Sequence, residues 1–338
     1  MMNTLFQLIK DLALPFIFEE SVKKSVKFLK EKRLKISNNG NDFEQSLTEL
    51  TSQIDTWSKQ ISFNDLNKAK RTSDVFIEID IFLMPLKNRI DDGETINKIS
   101  CIELFKQEDR HFVIVGQPGA GKTTLMKFLC QSVMYDEKFY PTEFRIPILI
   151  RLRELNGYSG ENSVLINHLF YAFGLVIDEV GLTVKESEHS LAKKRILFSI
   201  LDSLQPLIIL DGFDELSTSK LKSKILEEFR EIALTLKVGK VILTSRGSDY
   251  NYSVDNTATL EISPLSNFQI QSFASKWLND AKKVKDFLDH LYRSPFADTS
   301  IRPLTLSHLC AIYERSGRIP EKPKTIYKKI INLLLEDW

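Results

Sequence analysis

The sequence predicts an α/β chain, a parallel sheet with helices on both faces, flanked by an N-terminal helical region and a C-terminal helical subdomain. Three observations predict it. Short apolar runs of strand length alternate with longer amphipathic segments through the middle of the chain. One of those runs ends in a glycine-rich turn that opens directly into a helix. On both sides of this middle part the periodicity is helical alone.

Residues 1–72 form the predicted N-terminal helical region. Leu5, Leu8, Ile9 and Leu12 share one helix face, and Val22, Val26 and Leu29 continue the spacing beyond Pro15. "SNNGND", Ser37 to Asp42, is a turn. Phe43, Leu47, Leu50, Ile54, Trp57 and Ile61 then recur at steps of four and three, a heptad seam. Such a seam is either a helical hairpin packed on itself or a docking surface for a partner or sister subunit. The basic run Ser21 to Lys35 reads as a solvated helix face, with anionic lipid or nucleic acid as the sharper alternative.

From Val75 the period becomes two. Val75, Ile77, Ile79 and Ile81 alternate with Phe76, Glu78, Asp80 and Phe82, so residues 73–110 are expected to hold a strand and a linker. The core is expected over 111–264. Its predicted strands are His111–Val115, Ile146–Leu152, Leu207–Asp211, Lys240–Thr244 and Thr259–Ile262. Its predicted helices are Lys122–Tyr135, Ser163–Phe173, Ser187–Ser203 and Lys220–Leu236. Residues 265–338 read as a helical subdomain broken by Ile319 to Pro323.

Lys and Arg number 46 against 45 Asp and Glu, so no charge excess points to nucleic acid. Cys101, Cys130 and Cys310 sit among apolar residues without a CxxC pair, which suits reduced thiols in the cytoplasm and makes a structural metal site unexpected. The apolar N-terminus is interrupted by Lys10, Asp11 and Pro15 and has neither the length of a membrane span nor the order of a signal peptide. A cytoplasmic protein without a membrane span is expected.

Gly116-Gln117-Pro118-Gly119-Ala120-Gly121-Lys122-Thr123 fits the phosphate-binding loop G-x-x-x-x-G-K-[ST], with a strand before it and a helix after it. Its glycines let backbone N–H groups turn toward phosphate oxygens, and the helix starting at Lys122 adds its positive end. Lys122 is expected on the β- and γ-phosphates and the Thr123 hydroxyl on Mg²⁺, with Thr124 next in line. "LIILDGFDEL", Leu207 to Leu216, supplies Asp211 as the second Mg²⁺ anchor at a strand's carboxyl end. Motor ATPases often place a second acid directly after that aspartate. Here Gly212 stands there, and the acids fall at Asp214 and Glu215. One of them orients or deprotonates the attacking water, or they cap the following helix. Arg246, leaving the next strand, is either a sensor of the γ-phosphate or a surface ion pair.

Together these residues resemble the NACHT family of STAND-class P-loop NTPases, which includes animal NOD-like receptors and many bacterial immune proteins. The resemblance runs from about Phe76 to Trp338 on "GQPGAGKTTL", "LIILDGFDEL", "LTSR" and "IPILIRLREL". "RPLTLSHLCAIY" matches the family's Pro-Leu helix, which implies Pro303 near an adenine. "TIYKKIINLLLEDW" is similar to the helix before the family's winged-helix domain. Arg302 stands where the family often has Asn, and Gly247 where Pro is frequent. The winged helix, with its ADP-holding histidine, and the sensor repeats would follow Trp338, so that latch is not carried over. The resemblance implies a switch closed with ADP and open with ATP, self-associating on activation and hydrolysing slowly with Mg²⁺. It also implies an unknown activating ligand and, for a bacterial member, defence against phage. The alternatives are a continuously cycling ATPase of helicase or remodeller type and a non-hydrolysing scaffold.

Overall fold

A computed structural model describes residues 34–37, 40–61, 69–85, 98–107, 110–135, 144, 146–158, 163–174, 176–179 and 186–319. The helices read at Leu5–Leu12 and Val22–Leu29, most of the basic run and the stretch Thr325–Trp338 lie outside these residues. The chain begins with strand β1 (Leu34–Ser37), helix α1 (Gly40–Lys59), the short strands β2 (Gln60–Ile61) and β3 (Lys70–Arg71), and one helical turn, α2 (Thr72–Val75). Strands β4 (Asp80–Phe82) and β5 (Lys98–Ser100) lead through α3 (Cys101–Gln107) into β6 (His111–Val115) and α4 (Lys122–Tyr135).

After α4 come β7 (Ile146–Arg151), α5 (Val164–Ala172), β8 (Val176–Glu179) and α6 (Glu186–Leu204). Then β9 (Pro206–Asp211), α7 (Ser219–Thr235), β10 (Lys240–Ser245) and β11 (Thr257–Ile262) alternate as expected. Helices α8 (Asn267–Leu278), α9 (Ala281–Arg293) and α10 (Pro303–Ser316) complete the described chain. Ser266 and Gln269 form a capping box on α8, Asp280 caps α9, and Pro303 opens α10 at a first-turn position.

One sheet of order β5-β4-β11-β6-β10-β9-β7 organises the fold. β7, β9, β10, β6 and β11 run parallel, while β4 and β5 add an antiparallel edge to the parallel sheet expected. Alternation along the central strands divides the core into two. Phe112, Ile114, Leu207, Ile209 and Ile242 face Leu125, Met126 and Leu129 of α4 and the helices α8 to α10. Val113, Val115, Ile208, Leu210, Val241 and Leu243 face α5, α6 and α7. Residues buried on both faces of a strand need this double cover, which accounts for the continuous apolar runs in the sequence.

The extended segment read from Val75 to Phe82 needs correction. Only Asp80–Phe82 is strand, and Thr72–Val75 is helical. The alternation registers burial and not pairing: Phe76, Ile77, Ile79 and Ile81 are all buried. Carbonyls that a ladder would satisfy are met by side chains of α8 instead. Lys276 Nζ donates to Phe76 O at 2.6 Å and Gln269 Nε2 to Glu78 O at 3.0 Å. The helical reading of 1–72 is also broken by β1, which pairs antiparallel with β8, and by the β2–β3 pair.

The heptad seam is neither a hairpin on itself nor a free docking face. Ile54 is buried, and Leu50, Trp57 and Ile61 pack against the core beside α4. Polar contacts lock this docking: Tyr135 Oη donates to Asp55 at 2.7 Å, Gln131 Nε2 to Ser58 Oγ at 2.7 Å, and Lys127 Nζ to Gln60 O at 2.6 Å. α1 therefore rides on the helix that begins at the glycine-rich loop.

Two buried polar groups tie neighbouring elements together. Glu228 of α7 accepts from Val164 N at 2.6 Å and Ile166 N at 2.9 Å, capping α5 from a neighbouring helix. His111 Nδ1 accepts from Val241 N at 3.1 Å, joining β6 to β10. Burial, with Lys240 adding like charge, pulls the His111 pKa down to about 4. Protonating Nδ1 would remove the acceptor. The unfolded chain, with an ordinary histidine near pH 6.5, binds this proton more readily, so the contribution of His111 to stability is present above that pH and lost as pH falls toward 4. Urea melts at pH 7 and pH 5 should show a loss in the wild type that His111→Asn reduces by roughly 1–3 kcal/mol. An identical pH slope in both proteins would refute this role.

Candidate functional site

The loops that follow β6, β9 and β10 open at the carboxyl ends of adjacent parallel strands, where such sheets form crevices. They border a cavity of about 310 Å³. Pro118, Gly119, Ala120, Gly121, Lys122, Thr123 and Thr124 form one wall, and Asp211, Gly212, Asp214, Glu215, Thr244 and Arg246 a second. Ile61, Val75, Phe273, Trp277, Pro303, Leu304 and Ser307 make an apolar end. The sequence-read residues thus converge, except that Gly116 and Gln117 lie behind the lining.

Those two residues act on the loop itself. Lys122 Nζ donates to Gly116 O at 2.8 Å and to Gln117 O at 3.3 Å. Burial pulls the Lys122 pKa down, while Asp214 and Asp211 oppose the shift. Gln117 Oε1 accepts from Arg302 at 2.8 Å, and Leu304 N donates to Gly119 O at 3.2 Å. Gly119 has φ +76°, and a Cβ there would stand 3.0 Å from Leu304 Cβ. The loop therefore meets α10 backbone to backbone, which glycine alone permits.

Asp211 is held from both sides. Thr123 Oγ1 donates to Oδ2 at 3.1 Å, and Thr244 Oγ1 to Oδ1 at 2.6 Å. Thr244 in turn accepts from Gly212 N at 2.9 Å. A hydroxyl and a carboxylate this close are hard oxygen donors of the kind Mg²⁺ takes when phosphates and water complete its shell, so Thr123 and Asp211 fit the metal.

Gly212, at φ +87°, then reverses the chain into a 3₁₀ turn, Phe213–Glu215. That left-handed backbone, which residues other than glycine rarely adopt, explains the glycine after the aspartate. The helix-capping alternative for Asp214 and Glu215 does not hold, because Thr218 caps α7 by accepting from Leu221 N. Asp214 instead accepts twice from Arg246, from its backbone N at 3.0 Å and from Nε at 2.8 Å. Arg246 is thus both a cleft residue and half of an ion pair. Glu215 is left beside it, its pKa raised chiefly by burial and further by Asp211 and Asp214, against Arg153 and Arg246.

Several site residues escaped the sequence reading. Thr244 lay within "LTSR" and Arg302 before Pro303, but nothing local showed that they reach Asp211 and Gln117. Asn156 clamps the acidic turn, donating to Glu215 O at 3.0 Å and accepting from Ser217 N at 2.8 Å. Phe273 and Trp277 lie in the stretch read only as helical, where nothing local marked them.

This arrangement defines a phosphate-loop nucleotide-binding NTPase. The model of the NACHT domain matches residues 110–281, half of the chain, and the chain belongs to the NACHT family. No curated protein matches it. Among solved structures it is similar to a Walker-type ATPase of Pyrococcus abyssi, at 15% identity and a TM-score of 0.40, over 70% of this chain and 71% of that one. It is also similar to Cdc6p from Pyrobaculum aerophilum, at 14% identity and a TM-score of 0.36, over 64% of this chain and 59% of that one. No helix among the described residues is long and apolar enough to cross a membrane.

Thr244→Val keeps the shape of the side chain but removes both of its hydrogen bonds. It should lower stability by about 1–3 kcal/mol in denaturant melts, the range for stranding buried polar partners, whereas Thr244→Ser should stay near wild type. Equal behaviour of the two variants would remove Thr244 from the support of Asp211.

Proposed function

We propose that the chain is a molecular switch operated by ATP and ADP, which hydrolyses ATP slowly and self-associates in the ATP form. The observation that carries this reading is the seating of Arg302, Pro303 and Leu304 directly on the phosphate-binding loop. A phosphate that draws Lys122 away from Gly116 O and Gln117 O alters the loop on which α10 rests. The helical subdomain then responds to what the loop holds.

In this reading the γ-phosphate competes with Asp214 for Arg246, and Asp214 is the positioning residue for that cation. Thr123 and Asp211 would hold Mg²⁺, which when bound would supply positive charge to the phosphates. Glu215 accepts the proton of the attacking water. The acid is displaced from its usual place by Gly212, in keeping with slow turnover. A role in defence against phage, set off by an unidentified ligand, rests on family membership alone. A cycling helicase or remodeller and a static scaffold find no specific support. The seam that motivated the scaffold is occupied by the protein's own core.

Light scattering of the chain with ADP and with a non-hydrolysable ATP analogue tests the switch. Wild type should enlarge only with the analogue, and Lys122→Ala, which lacks a charge-assisted phosphate contact, should not respond to either. The same monomer under both conditions in the wild type would sink the proposal.

A pH profile tests the base. Glu215 must be deprotonated to accept a proton, so hydrolysis should rise with pH through a window shifted upward from the usual glutamate pKa, chiefly by burial. Glu215→Gln should lower the rate by about 10²–10⁴ and flatten the profile, as loss of a general base does. A profile unchanged in the variant would assign the base elsewhere.

A further inference from the structure

The two acids of the turn after β9 are held in different ways. Asp214 takes two hydrogen bonds from Arg246. Glu215 lines the cavity, with its carboxylate folded back against Gly212. Among the described residues no hydrogen bond or ion pair reaches that carboxylate. Its place therefore depends on its backbone. Glu215 N donates to Gly212 O at 3.0 Å, which closes the turn, and Glu215 O accepts from Asn156 Nδ2 at 3.0 Å. Asn156 Oδ1 accepts from Ser217 N at 2.8 Å. One side-chain amide thus grips the chain on both sides of Leu216.

The origin of Asn156 makes it a fixed arm. β7 and β9 lie side by side in parallel, with Arg151 opposite Asp211 at their ends. Both chains leave the sheet in 3₁₀ turns, Leu152–Gly157 and Phe213–Glu215. Leu152 and Leu155 are three apart, so they project from one side of their turn. Both are buried in the core that also takes Phe213 and Leu216. Asn156 itself is exposed and does not line the cavity. It holds the backbone of the acid and stays out of the space a nucleotide would fill.

We infer that Asn156 is a positioning residue for Glu215, fixing the separation between that carboxylate and the attacking water. This rests on the reading of Glu215 as the base. In that step the water oxygen bonds to the γ-phosphorus, the bond to the departing ADP breaks, and Glu215 takes the water proton. A base works only within hydrogen-bond reach of the proton it takes, and a displacement of about 1 Å can cost about 10²-fold in rate. A carboxylate without a bond of its own has only its backbone to keep it in reach. The charged groups that face Glu215 are Asp211, Asp214, Arg153, Arg246 and Lys122. Asn156 is neutral, so replacing it with alanine alters the position of the acid and leaves this set of charges as it is.

The experiment measures ATP turnover and ADP affinity for wild type, Asn156→Ala, Asn156→Asp, Glu215→Gln and the double variant Asn156→Ala/Glu215→Gln. Asn156→Ala should lower kcat about tenfold to hundredfold while ADP affinity and the melting temperature stay near wild type. Asn156→Asp keeps the acceptor for Ser217 N but loses the donor to Glu215 O. It should also lower kcat, and it carries the test if Asn156→Ala fails to fold. In the Glu215→Gln background the alanine should cost nothing further, because the group it positions is already gone. Unchanged turnover in Asn156→Ala, a loss of ADP affinity as large as the loss of turnover, or losses that multiply in the double variant would each overturn the inference. Glu215→Gln alone turning over at the wild-type rate would instead remove the base reading beneath it.

Discussion

A single carboxylate holds the working edge of this protein together. Asp211 ends β9, takes a hydrogen bond from Thr123 at the start of α4, and takes another from Thr244 near the end of β10. Two neighbouring parallel strands and the helix that follows a third are therefore pinned at one point. Thr244 extends the tie by accepting from Gly212 N, so the reversal into the acidic turn starts from a fixed position. From there Asn156 secures the turn to the segment after β7, and Asp214 secures Arg246. Placing this carboxylate requires a strand of continuous apolar residues, because only a fully covered strand delivers its last residue to the sheet edge with no freedom to drift.

Much of this was legible in the residues. β6, β9 and β10 announced themselves as short apolar runs, and α4 and α7 as amphipathic segments between them, since burial on one face or two leaves a direct trace in composition. The loop from Gly116 to Thr123, the anchor Asp211, the acids Asp214 and Glu215, and Arg246 also fall where topology brings them together. What could not be read was pairing at long range. The run from Val75 to Phe82 looked like a strand because its residues are buried, yet side chains of α8 take up its carbonyls. β1 finds its partner in β8, far along the chain. Glu228 caps a helix other than its own. Local periodicity records how deeply a residue is buried and is silent about which group meets it.

The antiparallel edge illustrates the same limit and has a structural use. β4 pairs with β11 and carries the chain onto the face shared by α4, α8 and α10. That is the face where α1 docks and where Ile61 and Val75 reach the cavity. The N-terminal segment is thus integrated with the helical subdomain through a common core, and the two do not behave as appendages at opposite ends of the NTPase.

The cations around the cavity are already engaged. Lys122 is held by two carbonyls of its own loop, Arg246 by Asp214, and Arg302 by Gln117. An incoming anion must exchange partners with these groups one after another. Lys122 and Arg302 keep their full charge against these neutral oxygens and can still attract an anion at a distance, whereas Arg246 has first to leave a carboxylate, so part of the barrier lies in rearrangement after contact. On the proposed reading, the same rearrangement would accompany departure, and the cavity's internal pairing would act as a kinetic governor on nucleotide exchange.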